Sequence, residues 1–132
     1  MSDRLEGIRV LIVDDDRDVL EAFETALQSE GAETLCVDDG NKAVAVCAED
    51  PPDIVLLDMM LPKRSGFLVL EKIMEIENPP IVVMITANQG KRHMAYAKAL
   101  GVGAYLIKPV SLQRLVDTVV GLLDENGAGA AG

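Results

Sequence analysis

The chain has 132 residues, of which 49% are hydrophobic, enough for one domain with a buried core. Its 12 basic and 22 acidic side chains give a formal net charge of −10, so no direct binding to nucleic acid or to an anionic membrane is expected. No apolar run reaches the roughly 18 residues of a membrane span, and residues 1–7 lack the basic and apolar segments of a signal peptide. We therefore expect a soluble, cytoplasmic protein.

The first half of the chain alternates short apolar runs with amphipathic segments. A nearly continuous aliphatic run at residues 8–13, typical of a strand buried on both faces, ends in three consecutive aspartates. Apolar residues spaced by three and four then predict a helix that stops at Gly31. A second strand at 34–37 and a short alanine-rich helix at 41–49 follow, so the strand-helix unit repeats.

The second half continues the same alternation. Strands are predicted at 54–57, 81–85 and 104–107, and each is followed by a loop and a helical segment. The helix at 91–100 contains many alanines and has only a thin apolar stripe. Ser111 is a candidate cap for a last helix with a continuous apolar face.

Five apolar strands that alternate with five helices predict a doubly wound α/β domain with a parallel sheet, because right-handed crossovers place helices on both faces. The domain is expected at residues 8–124, between an N-terminal extension at 1–7 and a flexible tail at 125–132. In such sheets the binding sites lie beyond the carboxyl ends of the strands, near the point where the strand order reverses. The side chains at those ends are the candidates for chemistry.

Polar residues follow or end four of the predicted strands: Asp14 and Asp15 the first, Asp58 the third, Thr86 the fourth and Lys108 the fifth. Carboxylates crowded into one cleft repel one another, and a hard divalent cation with oxygen ligands holds them ionised. Mg2+ is the expected ion because it binds one or two protein carboxylates and keeps positions open for water and phosphate oxygens. Asp15 and Asp58 are predicted as direct ligands and Asp14 as a ligand through water.

The same residues supply what phosphoryl transfer to a carboxylate requires, namely a nucleophile, a cation and further donors around the phosphoryl group. Asp58 is the predicted nucleophile, because it stands alone at the end of a central strand. Lys108 can place its ammonium group on one phosphoryl oxygen, and the Thr86 hydroxyl can donate to another. The sequence therefore predicts a phosphoryl-accepting signalling switch.

Four segments in this order resemble the receiver domain of bacterial response regulators: VLIVDDD at 10–16, IVLLDMMLP at 54–62, MITA at 84–87 and YLIKP at 105–109. The resemblance covers about residues 8 to 124. It implies a flavodoxin-like sheet with strand order 2-1-3-4-5, Mg2+ as cofactor, and phosphate taken from a histidine kinase or a histidine phosphotransfer protein. It also implies a protein that catalyses only its own phosphorylation and dephosphorylation and is otherwise no enzyme.

The resemblance implies further residue roles. The phosphate is expected on Asp58, and the backbone carbonyl of Met60 is expected to complete the metal site. Thr86 moves toward the phosphate and Tyr105 changes its exposure, which alters the surface formed by the fourth helix, the fifth strand and the fifth helix. Residues 101–105 lack an acidic pair that many DNA-binding members use for dimer contacts, so a monomer or weak dimer is expected.

Other interpretations stay open on the sequence alone. A small Mg2+-dependent phosphatase of the haloacid-dehalogenase type would use Asp14 as its nucleophile and would hydrolyse an external phosphate ester. A flavodoxin-like cofactor carrier would have a first loop rich in Ser, Thr and Gly, whereas this loop is acidic. An interaction module that is never phosphorylated would not respond to Mg2+ or acyl phosphates. The acidic triplet can also be explained simply as the start of a helix.

Overall fold

In the computed structural model, which describes residues 3–87 and 90–125, five strands and five helices alternate as the sequence predicts. The elements in chain order are β1 Arg9–Val13, α1 Arg17–Gln28, β2 Glu33–Val37, α2 Gly40–Glu49, β3 Ile54–Leu57, α3 Gly66–Met74, β4 Ile81–Thr86, α4 Lys91–Leu100, β5 Ala104–Ile107 and α5 Leu112–Glu125. The predicted tail was to begin at residue 125, but Glu125 is the last residue of α5, and residues 126–132 lie outside the described residues.

The five strands form one parallel sheet in the order β2-β1-β3-β4-β5. This confirms the doubly wound, flavodoxin-like fold. The chain leaves β1 in one direction to form β2 and returns on the other side to form β3, so the order reverses between β1 and β3. Val13 pairs with Leu57 there, and the next residue of each strand is an aspartate. The sheet thus sets Asp14 beside Asp58.

Successive side chains of the central strands point to opposite faces of the sheet, as strand geometry requires. Val10 and Ile12 of β1 pack with α1 and α5, whereas Leu11 and Val13 pack with α2, α3 and α4. The same alternation in β3 and β4 buries an apolar layer on each face. Leu5, which precedes the predicted domain, is 1% exposed and joins the first layer.

The helices begin where short polar side chains satisfy their first amide groups. Asp16, Asp39 and Ser65 cap α1, α2 and α3, and the Ser111 hydroxyl accepts a hydrogen bond from the Arg114 amide at the start of α5, as predicted. Among the described residues, none caps the start of α4 with its side chain, and Ala97 is the single buried residue of this helix. The predicted thin packing of α4 is confirmed.

The predicted element limits differ from the observed ones by a single residue at several ends. β1 begins at Arg9 rather than at residue 8, β2 begins at Glu33, and β4 extends to Thr86. Gly40, interpreted as part of a turn, is the first residue of α2 because Asp39 caps the helix. Within residues 3–87 and 90–125, no helix has the length and apolar character that a membrane crossing demands.

Candidate functional site

Three aspartate side chains meet at the carboxyl edge of the sheet. One carboxylate oxygen from each of Asp14, Asp15 and Asp58 lies within 4.8 Å of the others. Asp14 and Asp58 are 2% and 7% exposed, while Asp15 is exposed. The predicted acidic cluster is therefore present, with one carboxylate open to solvent and two held between the strand ends.

Lys108 brings a positive charge into this cluster from the loop after β5. Its Nζ lies 2.7 Å from Asp14 Oδ2 and 3.2 Å from Asp58 Oδ2. Burial acts to lower the pKa of Lys108, but the two carboxylates outweigh it and the pKa is raised. The ammonium group therefore stays charged and is shared between the two aspartates.

Asp14 is held on both of its oxygens. The Asp16 amide donates to Asp14 Oδ1 at 2.9 Å, and Lys108 donates to Oδ2. Burial nevertheless raises the pKa of Asp14, against the lowering effect of Lys108 and the Asp16 amide. Among the residues that the structure describes, none donates a hydrogen bond to the Asp15 carboxylate. Asp15 therefore has its lone pairs available for a ligand.

Asp58 is placed by backbone contacts on both sides. Its amide donates to the Val13 carbonyl at 3.0 Å, and the Met60 amide donates to its Oδ1 at 3.2 Å. The loop after β3 folds back closely, since a β-carbon at Gly66 would collide with the Asp58 carbonyl oxygen. The Met60 side chain is 65% exposed, so its predicted contribution to a metal site rests on the backbone.

Thr86 and Tyr105, the two predicted switch residues, lie on the neighbouring strands β4 and β5. Thr86 is the last residue of β4 and is fully buried, and its carbonyl accepts a hydrogen bond from the Lys108 amide at 2.9 Å. Tyr105 is partly buried against the apolar layer under α2, α3 and α4. Burial and then the charge of Asp58 raise the pKa of its phenol. Thr86 is thus linked to Lys108 through the backbone, and Tyr105 lies within the electrostatic influence of Asp58.

Three further residues that shape the site were not given site roles from the sequence. Asp16 contributes its amide to Asp14, and Gly66 and Gly40 allow close backbone approaches around the loop after β3. The signal for Asp16 was present, since an aspartate before a helix is a typical cap. Gly66 approaches Asp58 within one connection and Gly40 approaches Arg64 from another element, and neither contact follows from a residue pattern in the sequence.

The donor set fits a hard divalent cation. All three clustered side chains are carboxylates, which are the ligands that Mg2+ prefers, and none of the three is a sulfur or imidazole ligand typical of softer metals. One lysine against three carboxylates leaves the cluster with excess negative charge. A bound cation would offset that charge, and the exposed Asp15 gives it access from solvent.

Comparison with known proteins agrees with this geometry. The response regulator receiver domain family matches residues 10–120. A CheY-like response regulator receiver domain protein from Methanospirillum hungatei is 28% identical, with a TM-score of 0.86 over 89% of this chain and 94% of that chain. A chain of the CheX-CheY-BeF3-Mg complex from Borrelia burgdorferi is 27% identical, with a TM-score of 0.84 over 89% of this chain and 90% of that chain.

A third related structure is the receiver domain of a sensor histidine kinase from Pseudomonas aeruginosa, which has a magnesium ion coordinated in its active-site cleft. It is 28% identical to this chain, with a TM-score of 0.76 over 87% of this chain and 98% of that chain. The similarity thus extends over nearly the whole described fold.

Proposed function

Because this chain belongs to the response regulator receiver domain family and is therefore a phosphoryl-accepting signalling switch, we propose that Asp58 is the residue that accepts the phosphoryl group. The observation that carries the proposal is the position of its carboxylate, between the Lys108 ammonium group and the Met60 amide and within 4.8 Å of Asp14 and Asp15. The phosphatase, cofactor-carrier and unphosphorylated interpretations are not favoured.

In the proposed transfer, an Asp58 oxygen attacks phosphorus as the bond between phosphorus and the donor breaks. With a phosphohistidine donor, the electron pair of the broken bond stays on the imidazole nitrogen, which takes up a proton. Lys108, which is already within 3.2 Å of Asp58, balances charge on the phosphoryl oxygens, and the Thr86 hydroxyl is the proposed second donor. The chain thus serves as phosphoryl acceptor and catalyst of its own modification and hydrolysis.

Mg2+ is the proposed cofactor, held by Asp15, Asp58 and the Met60 carbonyl, with Asp14 acting through water. When bound, the ion would neutralise negative charge on the incoming phosphoryl group. The exposure of Asp15 and the oxygen-only donor set support this assignment.

Thr86 and Tyr105 are the proposed switch residues. Phosphorylation makes Asp58 more negative and adds acceptor oxygens, which draw the Thr86 hydroxyl and leave space that Tyr105 can occupy. α4 packs against β5, which carries Tyr105, and it has one buried residue. The surface of α4, β5 and α5 is therefore the proposed output surface.

The proposed donor is a histidine kinase or a histidine phosphotransfer protein, and the proposed location is the cytoplasm, where ATP supplies such kinases. The proposed assembly is a monomer or weak dimer without direct nucleic-acid contacts, in agreement with the net charge of −10. The related receiver from Pseudomonas aeruginosa belongs to a sensor histidine kinase, which supports this class of partner.

The acceptor is tested by intact mass after incubation with acetyl phosphate and Mg2+. Wild type and the exposed control Asp124→Asn should each gain one hydroxylamine-labile phosphate, and Asp58→Asn should gain none. An adduct that persists in Asp58→Asn, or its absence from wild type, would contradict the assignment. Hydrolysis of an external phosphate ester that depends on Asp14 rather than on Asp58 would revive the phosphatase interpretation.

A further inference from the structure

We propose that Asp16, the third aspartate of the acidic triplet, is a positioning residue that orients the Asp14 carboxylate toward Lys108 and the metal site. The inference rests on the proposed metal site but not on phosphorylation of Asp58. Asp16 is not part of the cluster formed by Asp14, Asp15 and Asp58. It acts through hydrogen bonds at the junction of β1 and α1.

The Asp16 side chain is anchored to the first turn of α1. Its Oδ1 accepts hydrogen bonds from the amides of Asp18 at 2.9 Å and Val19 at 3.4 Å, and its carbonyl accepts from the Leu20 amide at 3.1 Å. Its backbone is extended, with φ −91° and ψ 113°. These contacts fix the direction in which its own amide points.

That amide donates to Asp14 Oδ1 at 2.9 Å, while Lys108 Nζ donates to Oδ2 at 2.7 Å. Asp14 is 2% exposed, so water cannot freely replace either donor. A buried carboxylate that loses one of its partners must rotate or remain unsatisfied, and both outcomes disturb the contact with Lys108. The cap of α1 and the orientation of Asp14 are therefore coupled.

The position of Asp15 follows from the same arrangement. It lies between Asp14, whose amide donates to the Val37 carbonyl at 3.2 Å, and Asp16, which is fixed to the helix. Both ends of this three-residue segment are held, and the intervening carboxylate is exposed and available to a cation. Release of Asp16 would loosen two of the three clustered carboxylates at once.

The test compares Asp16→Ala with Asp16→Asn, which lose the same charge but differ in capping, since asparagine caps a helix about as well as aspartate. Mg2+ affinity is measured by isothermal titration calorimetry. Asp16→Ala should weaken binding about tenfold, the usual effect of losing a group that orients a metal ligand. Asp16→Asn should stay within about threefold of wild type, because it keeps the cap.

Ile54→Val is the control for simple destabilisation, because Ile54 is fully buried and is the first residue of β3, at the end of the strand opposite to the aspartate cluster. It should lower stability without changing Mg2+ affinity. Equal Mg2+ affinities of Asp16→Ala and Ile54→Val would overturn the proposal. An equal loss of Mg2+ affinity in Asp16→Ala and Asp16→Asn would also overturn it, because Asp16 would then act through its charge or as a metal ligand.

A metal-free readout separates this inference from the metal proposal. Amide hydrogen exchange at residue 16 is followed by NMR without Mg2+. It should accelerate in Asp16→Ala and in Asp14→Ala. In Ile54→Val it should accelerate only as much as the loss of global stability predicts. If the wild-type protein bound no Mg2+, the proposed metal site would be wrong. The exchange pattern would still support the coupling between the cap of α1 and the orientation of Asp14. Unchanged exchange at residue 16 in Asp14→Ala would overturn the coupling itself.

Discussion

At the residue scale, Gly40 allows the loop after β3 to rest on the start of α2. A β-carbon at this position would collide with the Arg64 carbonyl oxygen and lie 2.7 Å from Arg64 Cβ and 2.9 Å from Val69 Cγ2. We expect Gly40→Ala to lower the free energy of unfolding by about 1–3 kcal/mol, because the backbone contact cannot relax cheaply. Urea denaturation measures the change.

Gly121 provides the matched control for this substitution. It lies inside α5, and a β-carbon there meets no heavy atom within 4 Å. Gly121→Ala should raise stability by roughly 0.5–1 kcal/mol, because alanine favours a helix and glycine does not. Similar effects of the two substitutions would show that the close approach at Gly40 does not matter.

Cys36 offers a second prediction at this scale, concerning pH. Burial and the Glu24 carboxylate, which accepts a hydrogen bond from the thiol at 3.4 Å, raise the pKa of Cys36 from 9.0 to about 12. The reactive thiolate is therefore scarce below that pH. Glu24→Gln should lower the pKa and speed alkylation of Cys36 by iodoacetamide at pH 9.0, about tenfold for each pKa unit lost.

Cys47 is the internal control for the alkylation experiment. Burial alone raises its pKa to about 11, with no contribution from Glu24. Peptide mass spectrometry should show that Glu24→Gln changes the rate at Cys36 only. Parallel acceleration of both cysteines would mean that the substitution merely promotes unfolding and would contradict an electrostatic effect.

At the scale of elements, most of the fold was predictable from the sequence. The limits of β3, α4 and β5 are confirmed to the residue, because buried parallel strands are continuous apolar runs and Gly or Pro residues interrupt the chain around them. The ends of β1, β2 and β4 differ by one residue. Apolar Ile8 precedes its strand, whereas polar Glu33 and Thr86, which are compatible with a strand or a loop, belong to theirs.

Contacts between helices were not predictable in this way. The ring of His93 in α4 stacks on Phe67 of α3, with centroids 5.7 Å apart. Phe67 also meets the Tyr96 ring edge-on at 5.1 Å, and the Tyr96 hydroxyl donates to Glu71. Such pairs depend on how α3 and α4 cross, which helical periodicity alone does not specify.

These ring contacts lead to a prediction for α4. Since Ala97 is its single buried residue, we expect the contact with Phe67 to supply much of its attachment to α3. Tyr96→Ala should lower stability by about 1 kcal/mol, the usual value of an aromatic pair, and should accelerate amide hydrogen exchange in α4.

Tyr96→Phe is the matched control, because it keeps the ring and removes only the hydrogen bond to Glu71. That bond is at the surface, so the phenylalanine variant should remain within about 0.5 kcal/mol of wild type. Wild-type exchange rates throughout α4 in Tyr96→Ala would show that the aromatic contact does not anchor the helix.

At the scale of the whole molecule, the convergence of Asp14, Asp15, Asp58 and Lys108 was predictable, because a parallel sheet brings the carboxyl ends of its strands to one edge. Which donor forms a hydrogen bond with which carboxylate was not predictable. That Lys108 is shared by Asp14 and Asp58 while Asp15 stays open follows from backbone directions at the ends of β1 and β3. Those directions arise from packing across the sheet.

The acidic cluster adds like-charge repulsion to a chain whose net charge is already −10. Asp15→Asn should therefore raise the thermal midpoint in the absence of Mg2+, since it removes a carboxylate close to two others. The same variant should lose most of the stabilisation that Mg2+ gives wild type, about 2.7 kcal/mol at a concentration one hundred times the dissociation constant. Differential scanning calorimetry at matched ionic strength measures both effects.

Glu77→Gln is the control that distinguishes an effect of the aspartate cluster from an effect of net charge. Glu77 is exposed and lies in the connection between α3 and β4, at the ends of the strands opposite to the cluster. This substitution removes the same charge and should keep the full response to Mg2+. If Asp15→Asn also kept that response, the ion would act by screening the whole acidic surface rather than by binding the cluster. If Asp15→Asn were more stable than wild type without Mg2+ and less stable with it, the Asp15 carboxylate would destabilise the metal-free protein and stabilise the Mg2+-bound protein.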